Sequence, residues 1–498
     1  MKRHPVFWLI VFLAMFYVLT GNSRITSGDG EAMFQVTRAL GHGRLDLPPG
    51  ILPPVDAVLA DSTDILIPYT LIGRDGRTYS KYGLGQSLIA LPLYLVGTAW
   101  QVMTGTGHAP RSAALLLNSL LAAGTAGLLL AMARDLGHST RTGVMLALAY
   151  GLCSPAWVYT HTFFSEPLAT FLLTGAALAL VRFARRETVA WLALAGGALG
   201  LALLTRVSAA AALPAFGVYV AMHWRAKRLP WQTMVEQTTV AAMAIGIGVG
   251  LMIAYNLIRS GNPFDFGYHT NNWQTPLLSG LYGLTLSPGK GILWYAPVAF
   301  LGLAGFRPFA RHWLPEAVLC LGVCAGYLLL HSVYTYWEGG WCWGPRIILP
   351  ALPFILLPSI AIFGRRHRSR AAEFGLALLL VLGFVVQIPA VGSNYAIPLQ
   401  QVATSSPDQF QDRVLFQPRY SPLISQWGAL LRVLDNLRDP GARAQLADIL
   451  AQVQPDDTLL LVDSAVEALR LQRQKILAFN LPDLWLVSAP WLRQEAVP

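Results

Sequence analysis

Asp29-Gly30-Glu31 stands just outside a first apolar segment, Val6 to Thr20, in a chain where many more apolar segments follow. Carboxylates at the rim of a membrane bundle are costly to hold there and mark sites of chemistry. Four cations stand in comparable places: Lys81 just before an apolar stretch, and Arg206, Lys290 and Arg346 at the ends of others. Cations beside carboxylates in that setting suit an anionic lipid head group such as a phosphate. A carboxylate next to a phosphate site suits general-base work, because a hydroxyl or amine must lose a proton as it attacks a carbon whose leaving group is phosphate. A sugar C1 on a lipid phosphate is such a carbon. The carboxylates concerned are Asp29, Glu31 and, in the turn Tyr159-Thr160-His161-Thr162-Phe163-Phe164-Ser165-Glu166-Pro167, Glu166.

Each of these residues also has a purely structural reading. Asp29 followed by Glu31 and the apolar-periodic Ala32 to Leu40 fits the capped start of a helix, and capping is compatible with catalysis. Glu166, with Ser165 before it and Pro167 after it, fits the start of another. The cations could snorkel to the interface and form ordinary ion pairs. The stretch Tyr334-Thr335-Tyr336-Trp337-Glu338-Gly339-Gly340-Trp341-Cys342-Trp343-Gly344-Pro345-Arg346 suits either interfacial anchoring or stacking of aromatics on sugar faces.

These residues need a scaffold, and the composition defines it. The chain has 498 residues, of which 54% are hydrophobic and only 12% charged, against about 25% charged in soluble domains. Apolar runs recur from Ser112 to Ala390, the signature of an all-α, multi-span membrane protein. The net charge of +10 is gathered in short clusters between those runs. That is topology information and not a nucleic-acid-binding stripe, so no nucleic-acid partner is expected. Cys153, Cys320, Cys324 and Cys342 form no C-x-x-C pair and read as packing residues.

Short loops rich in Lys and Arg belong on the cytoplasmic side. The clusters are Lys2 and Arg3; Arg134 and Arg141; Arg182, Arg185 and Arg186; Arg225, Lys227 and Arg228; Arg307 and Arg311; and Arg365 to Arg370. Placing them all inside predicts spans near 6–22, 112–132, 143–160, 165–182, 189–205, 207–223, 235–257, 291–306, 314–332, 346–363 and 371–390, about eleven in all. The N-terminus, an uncleaved first span, is then cytoplasmic and the C-terminus extracytoplasmic. Gln86 to Met103, split by Pro92, would invert every later cluster if it crossed, so it is expected to lie at the outer interface. The first outer loop runs from about 21 to 111 and contains the stiff stretch Leu47 to Pro54. Residues 1–390 thus form the transmembrane domain. Residues 391–498 read as a small extracytoplasmic helical tail, with Trp485 and Trp491 suited to the interface.

The chain resembles the GT-C superfamily over roughly residues 5 to 390. These are membrane glycosyltransferases that use polyprenyl-phosphate sugars, such as protein O-mannosyltransferases and the lipid A aminoarabinose transferase. Asp29-Gly30-Glu31 with Phe34 and Ala39-Leu40 is similar to the family's first-loop Asp-Glu, except that Gly30 parts the two acids here. Ser80-Lys81-Tyr82-Gly83 leading to Leu91-Pro92-Leu93-Tyr94 resembles its juxtamembrane helix. Ser165-Glu166-Pro167-Leu168 resembles its second-loop acid. Trp343-Gly344-Pro345-Arg346 before Leu349-Pro350 resembles a signature of its bacterial members.

The resemblance implies a GT-C-like bundle with a large first extracytoplasmic loop and juxtamembrane helices, in the plasma (inner) membrane. It implies transfer of a sugar, with inversion, from a polyprenyl-phosphate donor to a lipid, glycan or protein acceptor among membrane lipids. Asp29 is the favoured base with Glu31 in support. Glu166 orients the acceptor or a metal. Lys81, Arg206 and Arg346 hold the phosphate, and Tyr82, His161, Trp337 and Glu338 line the substrate. The resemblance fixes no cofactor, and use of a divalent metal ion stays open. The alternative is a non-enzymatic transporter or flippase of lipid-linked sugars. That would place polar residues deep in the spans, whereas here polarity gathers at one face.

The topology is checked by cysteine labelling in cells at His108 and Arg141. The first should label from outside and the second only from inside; labelling of both from one side would overturn the path.

Overall fold

The computed structural model describes residues 4–21, 25, 27–47, 69–107, 109–267, 273–365, 367, 369–395, 399, 410–438 and 440–441. The stretch from Pro48 to Pro54, Trp485, Trp491 and most of the tail lie outside the described residues.

Helices make up nearly all of the fold. The chain opens with α1 (Pro5–Thr20) and α2 (Gly28–Gly41). A hairpin follows, β1 (Thr70–Ile72) antiparallel to β2 (Thr78–Ser80), with Thr70 opposite Ser80 and Ile72 opposite Thr78. Next come α3 (Gly85–Thr104), α4 (Ala109–Asp135), α5 (Thr140–Leu152), the single turn α6 (Ala156–Tyr159), α7 (Glu166–Arg186) and α8 (Val189–Thr205). A 3-10 turn, Val207–Ala212, leads into α9 (Leu213–Lys227), and α10 (Trp231–Ser260) follows. The second half holds α11 (Leu277–Thr285), α12 (Ile292–Tyr295), α13 (Ala299–His312), α14 (Leu314–Ser332), α15 (Leu352–Leu356), α16 (Ile360–Phe363) and α17 (Arg370–Gly392).

Among the described residues, eight helical segments are long and apolar enough to cross a membrane: residues 85–104, 109–135, 166–186, 207–227, 231–260, 314–332, 346–363 and 370–392. Pro5–Thr20 and Val189–Thr205 are apolar but shorter. The chain is a multi-pass membrane protein.

Two of the expected spans are not continuous helices. The segment 143–160 breaks between α5 and α6 around Ser154-Pro155, and 291–306 breaks at Ala296-Pro297 between α12 and α13. In both, proline has no N–H to continue the ladder. Pro92, expected to split its segment, sits inside a continuous α3. By length and composition α3 itself is among the segments able to span.

Helices α8 and α10 cross in close backbone contact. A Cβ at Gly200 would meet the Ile245 carbonyl oxygen at 2.6 Å, and one at Gly248 would meet the Gly200 carbonyl oxygen at 2.2 Å. In lipid, where apolar side chains gain little by leaving their solvent, small residues let backbones approach and supply the packing. This crossing sets the distance between Arg206, just past α8, and Arg259, in the last turn of α10.

After α17, the helices α18 (Phe410–Phe416) and α19 (Pro422–Arg438) turn back onto the bundle. The Gly289 N–H donates to the Leu415 carbonyl at 3.3 Å, and Gln426 Nε2 donates to Ser393 Oγ at 2.5 Å.

Gly248→Val forces overpacking at the α8–α10 crossing, which typically costs about 1–3 kcal/mol. A lower melting temperature in detergent is expected, while Gly246→Val, at a position with open space around it, should melt as the parent does. Equal melting of the two variants would contradict the packing described.

Candidate active site

The site is built from helix ends. Ser27 starts α2, its Oγ accepting from the Gly30 N–H at 3.1 Å. Capping, which the sequence assigned to Asp29, therefore falls to Ser27, and the Asp29 carboxylate in the first turn is left for other partners. Arg346 Nη2 donates to Asp29 Oδ2 at 2.9 Å, and the Tyr82 hydroxyl also hydrogen-bonds Asp29.

Glu166 opens α7. Ser165 makes no side-chain cap; its Oγ instead accepts from Arg206 Nη1 at 3.2 Å. The same Nη1 donates to Glu166 Oε1 at 2.9 Å, and Arg346 Nε lies 3.4 Å from that oxygen. The Glu166 side chain is 0% exposed and that of Arg346 11%. Arg346 also lies over the Phe164 ring, 3.9 Å from its centroid.

Charges therefore alternate along one line: Arg206, Glu166, Arg346, Asp29. Lys81 continues it through the field it shares with Asp29. Both carboxylates also sit in the first turn of a helix, where the macrodipole favours negative charge. Burial alone would raise the Asp29 carboxyl; the Arg346 guanidinium, the Tyr82 hydrogen bond and the Lys81 charge outweigh it and hold Asp29 below the usual carboxylate range. Lys81 is nearly buried. Burial pulls its ammonium down to about 8, with Asp29 opposing the fall and Arg346 adding to it. Lys81, Tyr82, Thr205, Arg206 and Asn256 line a cleft between the ends of α8 and α10.

The structure does not bring Glu31 to Asp29. Residues two apart on a helix do not share a face, and Glu31 takes a two-pronged grip from Arg111 at 2.7 and 2.8 Å, with Gln35 Nε2 donating at 2.7 Å. This pair ties α2 to α4.

The other expected substrate residues stand in different surroundings. His161 Nε2 lies 3.5 Å from Thr20 Oγ1, and burial pulls the ring down to about 4, so it is neutral. Trp337 packs on Gly283, where a Cβ would meet its ring at 2.2 Å. Burial pushes the neighbouring Glu338 up to about 7, with Lys290 opposing. Lys290 itself donates to the carbonyls of Gly340 and Cys342 at 2.8 and 2.6 Å and so holds the aromatic loop.

Sequence reasoning missed two contributors to this cluster, Phe164 and Tyr69, and the partner of Glu31, Arg111. Phe164 lay in a turn already singled out, but nothing marked it as the platform for Arg346. Arg111 marked only a loop boundary. Tyr69 carried no signal: its ring lies against Gly28, where a Cβ would meet it at 2.4 Å, and it feels the charges of Asp29 and Arg346. As for a metal, both carboxylates of the cluster are engaged by arginine. Among the described residues no three His, Cys, Asp or Glu side chains stand together as ligands would.

The bundle with this rim of charge has the fold of the GT-C membrane glycosyltransferases. It is similar to the crystal structure of the Archaeoglobus fulgidus oligosaccharyltransferase in the apo form, with a TM-score of 0.53 at 11% identity, over 84% of this chain and 61% of that one. The chain thus spans about three fifths of the archaeal protein's length. ArnT from Cupriavidus metallidurans in the apo state gives 0.51 at 14% identity, over 99% and 89% of the two chains. The same ArnT bound to undecaprenyl phosphate gives 0.50 at 13%, over 95% and 85%. No protein-family model and no curated protein matches the chain in sequence.

Glu166→Gln would leave two guanidiniums around a neutral amide. Removing one partner of a buried ion pair costs roughly 3–5 kcal/mol, so a large drop in melting temperature in detergent is expected. Glu31→Gln, at a partly exposed pair, should cost far less. A Glu166→Gln protein as stable as the parent would refute the bridging role.

Proposed function

We propose that this chain is an integral membrane glycosyltransferase that moves a sugar from a polyprenyl-phosphate donor to a lipid, glycan or protein acceptor at the extracytoplasmic face of the plasma membrane. The observation that carries the reading is Asp29, ionised and fixed by Arg346 and Tyr82, next to a cleft lined by Lys81 and Arg206, on a GT-C bundle. The ArnT structure similar in fold holds undecaprenyl phosphate, which supports a lipid phosphate as leaving group. The arginine clusters, read as cytoplasmic, support a cytoplasmic N-terminus and with it a rim on the outer side.

In the proposed reaction the donor phosphate lies in the cleft against Lys81 and Arg206. An acceptor hydroxyl or amine hydrogen-bonds to an Asp29 oxygen and attacks the anomeric carbon from the side opposite the phosphate. The new bond to the acceptor forms as the C1–O bond to phosphate breaks, the phosphate keeps that electron pair, and configuration inverts. Asp29 is a weak base in the resting site. It need not deprotonate the acceptor in advance, because the attacking atom's acidity rises steeply as the new bond forms and its proton then passes to the carboxylate. The same negative charge stabilises positive charge that develops on the sugar ring. Arg346 keeps Asp29 in its anionic form and in place; with two carboxylates already on it, Arg346 acts on the donor mainly through Asp29. Glu166 holds Arg206 and Arg346 at their spacing.

Asp29→Asn keeps the size and removes the charge. It should lower sugar transfer on the order of a hundredfold or more while the protein stays folded, and Glu31→Gln should cost less. Full activity of Asp29→Asn in an assay with purified protein and lipid-linked sugar would remove the base. Donor binding should also depend on pH. Lys81 is charged below about 8 and loses its proton above it, so affinity for the lipid phosphate should fall as pH rises through about 8 and recover on return. A flat profile from pH 7 to 9.5 would argue against Lys81 as a phosphate ligand.

A further inference from the structure

Arg259, in the last turn of α10, is 2% exposed. Its guanidinium grips main chain. Nη1 donates to the carbonyl oxygens of Lys81 at 2.6 Å, Ser80 at 3.1 Å and Tyr82 at 3.4 Å, and Nη2 donates to the Asp265 carbonyl at 2.6 Å. The Tyr255 ring lies 5.1 Å from it. Burying a guanidinium is costly, and neutral carbonyls offset that less well than a carboxylate does. What this placement secures is geometry: one planar fork joins the segment that carries Lys81 to the turn that follows α10.

That turn closes on the same segment from the other side. Gly267 has φ +76, and a Cβ there would meet the Lys81 carbonyl oxygen at 2.6 Å and the Lys81 Cβ at 2.9 Å. The Gly267 N–H donates to Asp265 Oδ1 at 2.9 Å, which fixes the turn. The Lys81 ammonium itself sits on a flexible four-carbon stem, 5.3 Å from the Tyr82 ring centroid. Its position in the cleft is therefore set by where its main chain is held.

We propose that Arg259 is a positioning residue for the donor phosphate: it clamps the main chain of residues 80–82 against the Asp265–Gly267 turn and so fixes the Lys81 ammonium in the cleft. The inference rests on Lys81 being a phosphate ligand, as proposed above. Lysine cannot replace this arginine, because a single ammonium cannot span two segments as the fork does.

The test is binding of undecaprenyl phosphate to the purified full-length protein in detergent, with undecaprenol as the phosphate-free control, for the parent, Arg259→Lys, Gly267→Ala and Lys81→Ala. Arg259→Lys and Gly267→Ala, which disturb the clamp from opposite sides, should each weaken binding about tenfold or more. Undecaprenol binding should not change. In both variants the loss of affinity near pH 8 should move to higher pH, because a loosened Lys81 gains water and a merely structural defect would not shift it. If Lys81→Ala weakens binding but Arg259→Lys and Gly267→Ala bind as the parent does, the clamp is refuted. If Arg259→Lys alone weakens binding and the pH dependence stays put, Arg259 touches the phosphate directly and the clamp is again refuted. If Lys81→Ala binds normally, it is the donor reading of Lys81 that fails. Should Arg259→Lys not fold, Gly267→Ala decides by its affinity and its pH profile.

Discussion

The fully buried carboxylate of Glu166 is the constraint on which the rest of the site depends. It draws Arg206 from the end of α8 and Arg346 from the start of a later segment onto one oxygen. Neither arginine could be held at the membrane rim in this geometry without an anion between them. Once they are fixed, Arg346 reaches Asp29 and Arg206 faces the cleft. A single acid thus links three helix ends that are distant in sequence and gives the Asp29 carboxylate a defined place.

Helix termini do most of the positioning. Asp29 and Glu166 occupy first turns, Arg206 follows the last turn of α8, and Arg259 closes α10. The interior of the bundle contributes rigidity through tight crossings such as Gly200 on Gly248. Polar chemistry is confined to the ends because unpaired polar groups are expensive in the apolar middle. Helix geometry separates the two acids of α2: Asp29 enters the charge line, and Glu31 anchors α2 to Arg111.

Much of this was legible in the sequence. Apolar runs without charge read directly as membrane helices, and the cations standing at their ends marked the rim. Asp29, Lys81, Glu166, Arg206 and Arg346 were all singled out, and the structure gathers them. Less legible were breaks that depend on local backbone, such as those at Pro155 and Pro297, since Pro92 in the same kind of run leaves α3 unbroken. Capping was also misread: Ser27 competes with Asp29 for the same role, and only the backbone decides between them. His161, Trp337 and Glu338 were chosen for residue type within loops, but loop membership does not fix which way a loop folds. Arg259 and Tyr69 act through main chain and ring packing that no spacing pattern encodes.

The alternating line of charge also has a net value. Three cations and two carboxylates leave the resting site with one surplus positive charge. A sugar phosphodiester carries one negative charge, so the loaded site is neutral as a whole. In the proposed transfer the departing polyprenyl phosphate becomes a monoester and gains a second negative charge, while the acceptor's proton neutralises Asp29. The surplus of the protein then rises to two and meets the new charge of the lipid. Substrate and product are thus both held at electroneutrality, and the event that unbalances the site is loss of the proton from Asp29 to solvent. Under the proposed reaction, proton release is then the trigger for expelling the spent lipid, and turnover follows the acidity of the compartment the rim faces.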